Sequence, residues 1–175
     1  MPETTYIALL RGINVTGHGI LAMKDLSALC VDLGFGCVRT YIQSGNVVFR
    51  TKLGGKTVQS CLEEALEKHM GKKINVMLRT AHELEAVLKA NPFPAENPSK
   101  VAVHFLHEPP AKDFLDHIIA AGGEQVRLGS REIYVYFPNG QGQSKLKMPM
   151  KVDAFTVRNI NTVAKLVDLA AQAGK

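Results

Sequence analysis

The sequence predicts an α+β protein built from two similar halves, each a split βαβ unit folded as an α/β sandwich. Three observations carry this expectation. Strand and helix periodicities run β-α-β-β-α-β and a further helix over residues 1–90, then β-α-β-β-α over residues 99–175. The stretch between, NPFPAENP at 91–98, sets three prolines in seven residues, which disfavours helix and marks a linker. Glycines follow the ends of helical stripes, at Gly34, Gly71 and Gly122. One compact domain shared by both halves is the alternative organisation.

Residues 5–11 are mostly apolar, as expected of a strand central in a sheet. A loop with Gly12, Gly17 and Gly19 follows. Leu26, Leu29, Cys30 and Leu33 then recur at helical spacing. Residues 37–42 and 47–51 read as two strands around the turn Gln43-Ser44-Gly45-Asn46. Val58, Cys61, Leu62, Ala65, Leu66 and Met70 form the stripe of a second helix. Residues 74–79 read as a strand, and Thr80 opens a capping box with Glu83 ahead of Leu84, Val87 and Leu88. That order is the ferredoxin-like arrangement.

In the second half, residues 100–106 read as a strand. A helix is expected from Pro110, with Phe114, Leu115, Ile118 and Ile119 on one face. Residues 125–128 and 132–137 read as a hairpin around Gly129 and Ser130. A basic, Gly- and Gln-rich stretch follows at 138–151. The last helix is expected near Thr162, with Asn161 as a candidate N-cap.

The 175 residues are 46% apolar and 21% charged, an ordinary globular composition able to form a core without disulfides or metal. The three cysteines, Cys30, Cys37 and Cys61, are odd in number and lack CxxC spacing, which argues against a disulfide framework and a zinc site. Cys30 and Cys61 fall on apolar helix faces, as inert buried thiols do. The N-terminus MPETTYIALLRG has no basic n-region, and no apolar run approaches the roughly 20 residues of a membrane span. The expectation is a soluble, cytoplasmic protein with no membrane partner.

The net charge of +5 is unevenly distributed. Between Asp32 and Glu63 lie Arg39, Arg50, Lys52 and Lys56 with no acidic residue. Between Asn139 and Asn161 lie Lys145, Lys147, Lys151 and Arg158 against Asp153 alone. Such stretches attract phosphate or nucleic acid, or serve as a solvated surface.

Four places stand out. RGINVTGHG, from Arg11, is a glycine loop after a strand, a setting where backbone amides can cradle phosphate. It is not a Walker motif, because His18-Gly19 stands where Lys-Ser/Thr is required, and no GxGxxG is present. The turn Gln43 to Asn46 offers several donors and acceptors, though its residues are also ordinary turn chemistry. TVRNINT places Arg158 and Asn159 just ahead of a helix N-terminus, an anion-binding setting unless Asn159 or Asn161 caps the helix and Arg158 pairs with a carboxylate. Tyr134 and Tyr136 share one strand face, as do Arg39 and Tyr41, which could stack bases or pack between the halves. No RNP1 pattern accompanies them. The six histidines form no convincing metal set, no HExxH or GxSxG appears, and no cofactor is implied.

ALLRGINVTGHG, RTYIQSGNVVF and TVRNINTVAKL together resemble the bacterial domain-of-unknown-function family 1697. The opening loop departs from that pattern by Thr16 in place of glycine, and the late stretch by Ile160 in place of tryptophan. The resemblance implies two ferredoxin-like halves and no defined activity. It places Arg11, Gly12, Asn14, Gln43, Ser44, Gly45, Asn46, Arg158, Asn159 and Thr162 in signature stretches. Polar groups at loops point to a site.

The leading expectation is a cytoplasmic protein that binds a small anionic, phosphate-bearing ligand through Arg11, Asn14, Gln43, Ser44, Asn46, Arg158, Asn159 and Thr162. A single-stranded nucleic-acid binder is the alternative, and an enzyme of unidentified class the third reading. The oligomeric state is open, with a dimer through a sheet edge as one form.

Overall fold

The computed structural model describes residues 2–14, 20–151 and 154–175. Thr16, Gly17, His18, Gly19 and Asp153 therefore lie outside the described residues. The chain divides into two compact units, Met1–Glu85 with Lys165–Lys175, and Ala86–Ala164. The proline-rich stretch 91–98 falls inside the second unit.

The first unit holds β1 (Thr4–Leu10), α1 (Met23–Asp32), β2 (Gly36–Tyr41), β3 (Asn46–Thr51), α2 (Gly55–Met70) and β4 (Val76–Thr80). Its antiparallel sheet has the order β2-β3-β1-β4. β1 pairs on both sides, and its residues from Tyr6 to Leu10 are buried whichever way the pleat points. That is why it reads as a continuous apolar run rather than an alternation. Leu26 and Cys30 of α1 and Val58, Leu62 and Leu66 of α2 share a core with Ala8, Leu10, Val47 and Phe49. Phe35 stacks on Phe49 with ring centroids 4.4 Å apart.

α3 (Ala81–Lys89) begins at the expected capping box. Glu83 donates its backbone N–H to Thr80 Oγ1 at 3.1 Å, and Thr80 donates its own to Glu83 Oε1 at 3.0 Å.

The second unit holds β5 (Val101–Leu106), β6 (Ile119–Ala120), β7 (Gln125–Leu128), β8 (Glu132–Tyr136), β9 (Leu146–Lys147) and β10 (Phe155–Asn159); α4 (Ile160–Ala173) begins in it and continues into the Lys165–Lys175 segment of the first unit. Its main sheet has the order β10-β5-β8-β7, matching the first sheet strand for strand. The α+β class is borne out.

Two expectations for this half need correction. The helix from Pro110 is absent: Phe114–His117 is a single 3-10 turn, and Ile119–Ala120 pairs with Leu146–Lys147 as a two-stranded ribbon. Pro109 and Pro110 supply no backbone N–H, Asp113 makes no capping bond, and the β-branched pair Ile118-Ile119 favours extended backbone. The half also has the closing strand that its sequence hid, β10, and α4 starts at Ile160 rather than Thr162.

The described residues of the β8–β10 crossover form no α-helix, and a carboxylate organises that segment. Glu124 is buried, and it accepts from the backbone N–H of Gly122 (2.8 Å) and Lys145 (2.8 Å) and from Ser144 Oγ (2.9 Å). Bonds from its own backbone N–H and from these three donors favour the ionised form, against a smaller opposing effect of burial, and lower its pKa from 4.5 to about 2. A depressed carboxylate contributes stability above its unfolded pKa and loses it as pH falls through the folded value. Unfolding free energy is therefore expected to fall between about pH 5 and pH 2. Glu124→Gln, which does not titrate, should be less stable than the parent at pH 7 and equal to it near pH 2. Chemical denaturation across that range reads the difference, and a gap that does not change with pH contradicts the assignment.

Candidate functional site

Two of the three expected stretches meet at one end of the first sheet. Asn14, with φ +56°, reaches across from the loop after β1. Its Nδ2 donates to the carbonyls of Gln43 (2.7 Å) and Leu21 (2.9 Å), and lies 3.3 Å from Gln43 Oε1. Its Oδ1 accepts the Leu21 N–H at 2.7 Å. Two carbonyls on one side and an N–H on the other fix which way the amide faces.

Beneath this amide the loop and the turn touch. Leu10 donates its N–H to Gly45 O at 2.8 Å. Gly45 has φ +88°, and a Cβ there would stand 2.5 Å from Ile13 Cδ1 and 3.0 Å from Leu10 Cβ. Only glycine meets both constraints. Asn46 is fully buried, and its Nδ2 donates to Tyr41 O and Ser44 Oγ, each at 2.9 Å. Asn14 and Asn46 are thus occupied in building the turn.

The residues that face outward are Gln43 and Ser44, both exposed; Arg11, half-buried, follows Leu10, whose N–H bonds Gly45 O. Arg11 donates its backbone N–H to Asn75 O at 3.0 Å, which brings the start of β4 to the same end. α1 also begins here, and Ala22 at its N-cap makes no side-chain hydrogen bond to the first turn. That first turn has no side-chain cap, and it carries Asp25, whose carboxylate already offsets the positive dipole end.

The third stretch belongs to the second unit. Arg158 is buried, and its Nη1 donates to Thr156 Oγ1 (2.9 Å) and Val157 O (2.8 Å). Burial lowers its pKa to about 10, so it stays charged at neutral pH. Asn159 caps α4: its Oδ1 accepts the Asn161 N–H at 2.8 Å, and its Nδ2 donates to Ser99 O at 3.1 Å. Thr162 is half-buried in the first turn of α4.

Tyr134 is buried, and its hydroxyl donates to Val87 O at 2.7 Å. Tyr136 packs near Phe93 with centroids 6.0 Å apart. Tyr134 therefore cannot present a ring to a base, and a stacking platform on β8 loses its central member. Arg39 is exposed and donates to Gln172 Oε1 at 3.0 Å.

Two buried bases were not singled out in the sequence. Arg79, on β4, is buried and donates Nη1 to Leu78 O at 2.9 Å. Its position matches that of Arg158 on β10, since VMLRT and FTVRN each end a fourth strand before a capped helix. His104 packs against Phe155 with centroids 5.1 Å apart, and its Nδ1 has no hydrogen-bond partner. Burial lowers its pKa to about 4, so the ring is neutral at pH 7. Among the described residues no group of three or more His, Cys, Asp or Glu could hold a metal ion.

The glycine carries a direct prediction. Gly45→Ala should destabilise the protein by about 2 kcal/mol or more, from positive φ and the contact with Ile13 together. Urea denaturation measures it, and a change within about 0.5 kcal/mol would show that the turn does not need glycine.

The fold is similar to that of a conserved bacterial protein from Streptococcus pneumoniae, with a TM-score of 0.81 and 24% identity over 97% of this chain and 99% of that one. No curated protein matches the sequence. A family model described as a protein of unknown function, DUF1697, matches residues 3–134. That span contains the Arg11 loop and the Gln43 turn and stops short of Thr156. It also covers most of the length, and the chain belongs to the DUF1697 family of proteins of unknown function.

Proposed function

We propose that this protein binds a small anionic, phosphate-bearing ligand in the cytoplasm, at the end of the first sheet where the Arg11 loop meets the Gln43 turn. The observation that carries this reading is the Asn14 amide, which holds the two segments within hydrogen-bond distance of one nitrogen. Arg11 supplies the charge, Gln43 and Ser44 supply exposed polar groups, and the uncapped first turn of α1 supplies backbone donors. The role of Asn14 and Asn46 is to hold the geometry. Arg158, Asn159 and Thr162 are not needed for this site. All three cysteines are free thiols, which suits a reducing compartment.

Among the described residues no helix is long and apolar enough to cross a membrane. The net charge of +5 favours anionic ligands over cationic ones.

The test is thermal unfolding with inorganic phosphate, glycerol phosphate and a nucleoside monophosphate. A ligand that binds only the native state, at 100 times its Kd, adds about 2.7 kcal/mol. At least one of these compounds should raise the melting temperature, and Arg11→Ala should abolish the rise. No shift with any of them, or a shift that survives Arg11→Ala, would overturn the reading.

A further inference from the structure

A cavity of about 330 Å³ opens on the second unit, lined by residues from several of its segments. Leu106 comes from the end of β5, Phe114 from the 3-10 turn Phe114–His117, and Met150 from the stretch after β9. Leu106 and Phe114 are buried members of this unit's core, and Met150 packs against the same core. The buried part of the lining is therefore held by packing that the fold needs in any case. Pro110 and Pro149 also line the cavity. Proline has a fixed φ and no backbone N–H, so these positions are stiff and leave no donor unsatisfied. Pro110, Ala111 and Phe114 fall where the sequence predicts a helix and the structure has a 3-10 turn instead.

The lining is apolar apart from two chain neighbours, His107 and Glu108, both exposed. Among the described residues Glu108 is the one carboxylate of the lining, which holds no lysine or arginine, and it makes no ion pair. The cavity thus combines an apolar interior with a single negative charge. A concave apolar surface of this size with a few polar groups is the form that small-molecule sites take. An apolar cavity of about 150 Å³ accepts a benzene ring. One of about 330 Å³ has room for a body of two fused rings. The cavity shares no residue with the anion site of the first unit.

We infer that this cavity is a second binding site, for a small organic cation with a two-ring apolar body against Leu106, Phe114 and Met150 and an ammonium group at Glu108. The Phe114 ring and the Met150 thioether both make favourable contacts with aromatic rings. Burial of the apolar body supplies most of the affinity. Glu108 selects the sign of the charge: it attracts an ammonium and repels a carboxylate on a body of the same shape. Its exposure to solvent keeps that selection modest.

The experiment is an NMR titration of the isotope-labelled full chain with naphthylmethylamine and with naphthoate, repeated on Glu108→Gln. Salt of about 0.15 M screens the net charge of +5, so that the charge in the lining decides. The amine should shift the amide signals of His107, Ala111 and Phe114 and leave those of Val47 and Val48 in β3 in place. It should bind the parent about threefold or more tightly than naphthoate. Glu108→Gln should bring the two compounds within about twofold of each other. Position 108 is exposed, so the variant should keep the parent's melting temperature. Absence of shifts at the cavity residues overturns the site. Equal binding of the two compounds by the parent, or a preference for the amine that Glu108→Gln leaves intact, overturns the assignment of its ligand.

Discussion

One side-chain amide holds the candidate site together. Asn14 bonds two carbonyls and one N–H from segments that no secondary structure joins. Few side chains carry two donors and an acceptor on one short planar group while tolerating positive φ. The close approach of Gly45 to Ile13 lies beneath it. Contact below and hydrogen bonds above fix the loop against the turn. The separation of Arg11 from Gln43 and Ser44 follows from that arrangement. The chemistry at this end of the sheet is therefore a consequence of geometry that Asn14 and Gly45 impose.

The two sheets share a strand order but differ in what crosses them. Arg79 and Arg158 occupy matching strand ends, each donating to the preceding carbonyl, and Thr80 and Asn159 cap the helices that follow. The first sheet is crossed by α1 and α2, whereas the second is crossed by 3-10 turns and the β6–β9 ribbon. A helical crossover delivers a helix N-terminus to the sheet end, and a four-residue 3-10 turn does not. That difference leaves the first sheet with a crossover-helix start at this end and the second without one among the described residues. In the second unit the Glu124 carboxylate takes over the organising role.

The parts of this fold that were legible in the sequence are those set by local periodicity and local caps. The stripe of α2, the glycine stop at Gly71 and the Thr80–Glu83 box depend on residues within a few positions of each other. The second half was harder because its cues conflict. Phe114, Leu115, Ile118 and Ile119 have helical spacing, yet two prolines ahead and a distant strand partner at Leu146–Lys147 override it. β10 was hidden because its five residues were read as the approach to a helix. The candidate site was legible as residue types at a loop and a turn. Its internal order was not, because the Asn14 bonds span 7 and 29 residues and no local pattern announces them. The same holds for Ile42: a sequence shows an isoleucine before a turn, and only the backbone shows its positive φ.

The most direct measurement of the central claim is hydrogen exchange at the Leu21 amide in the parent and in Asn14→Gly. Glycine accepts the φ of +56° at this position, so the change removes the side chain without adding strain. If Asn14 Oδ1 protects the Leu21 N–H, exchange there should speed up by about tenfold or more, while Val47 and Val48 in the middle of β3 should keep their protection. Unchanged protection at Leu21 would show that the loop and the turn are held together by something other than Asn14, and the account of the site would fail at its foundation.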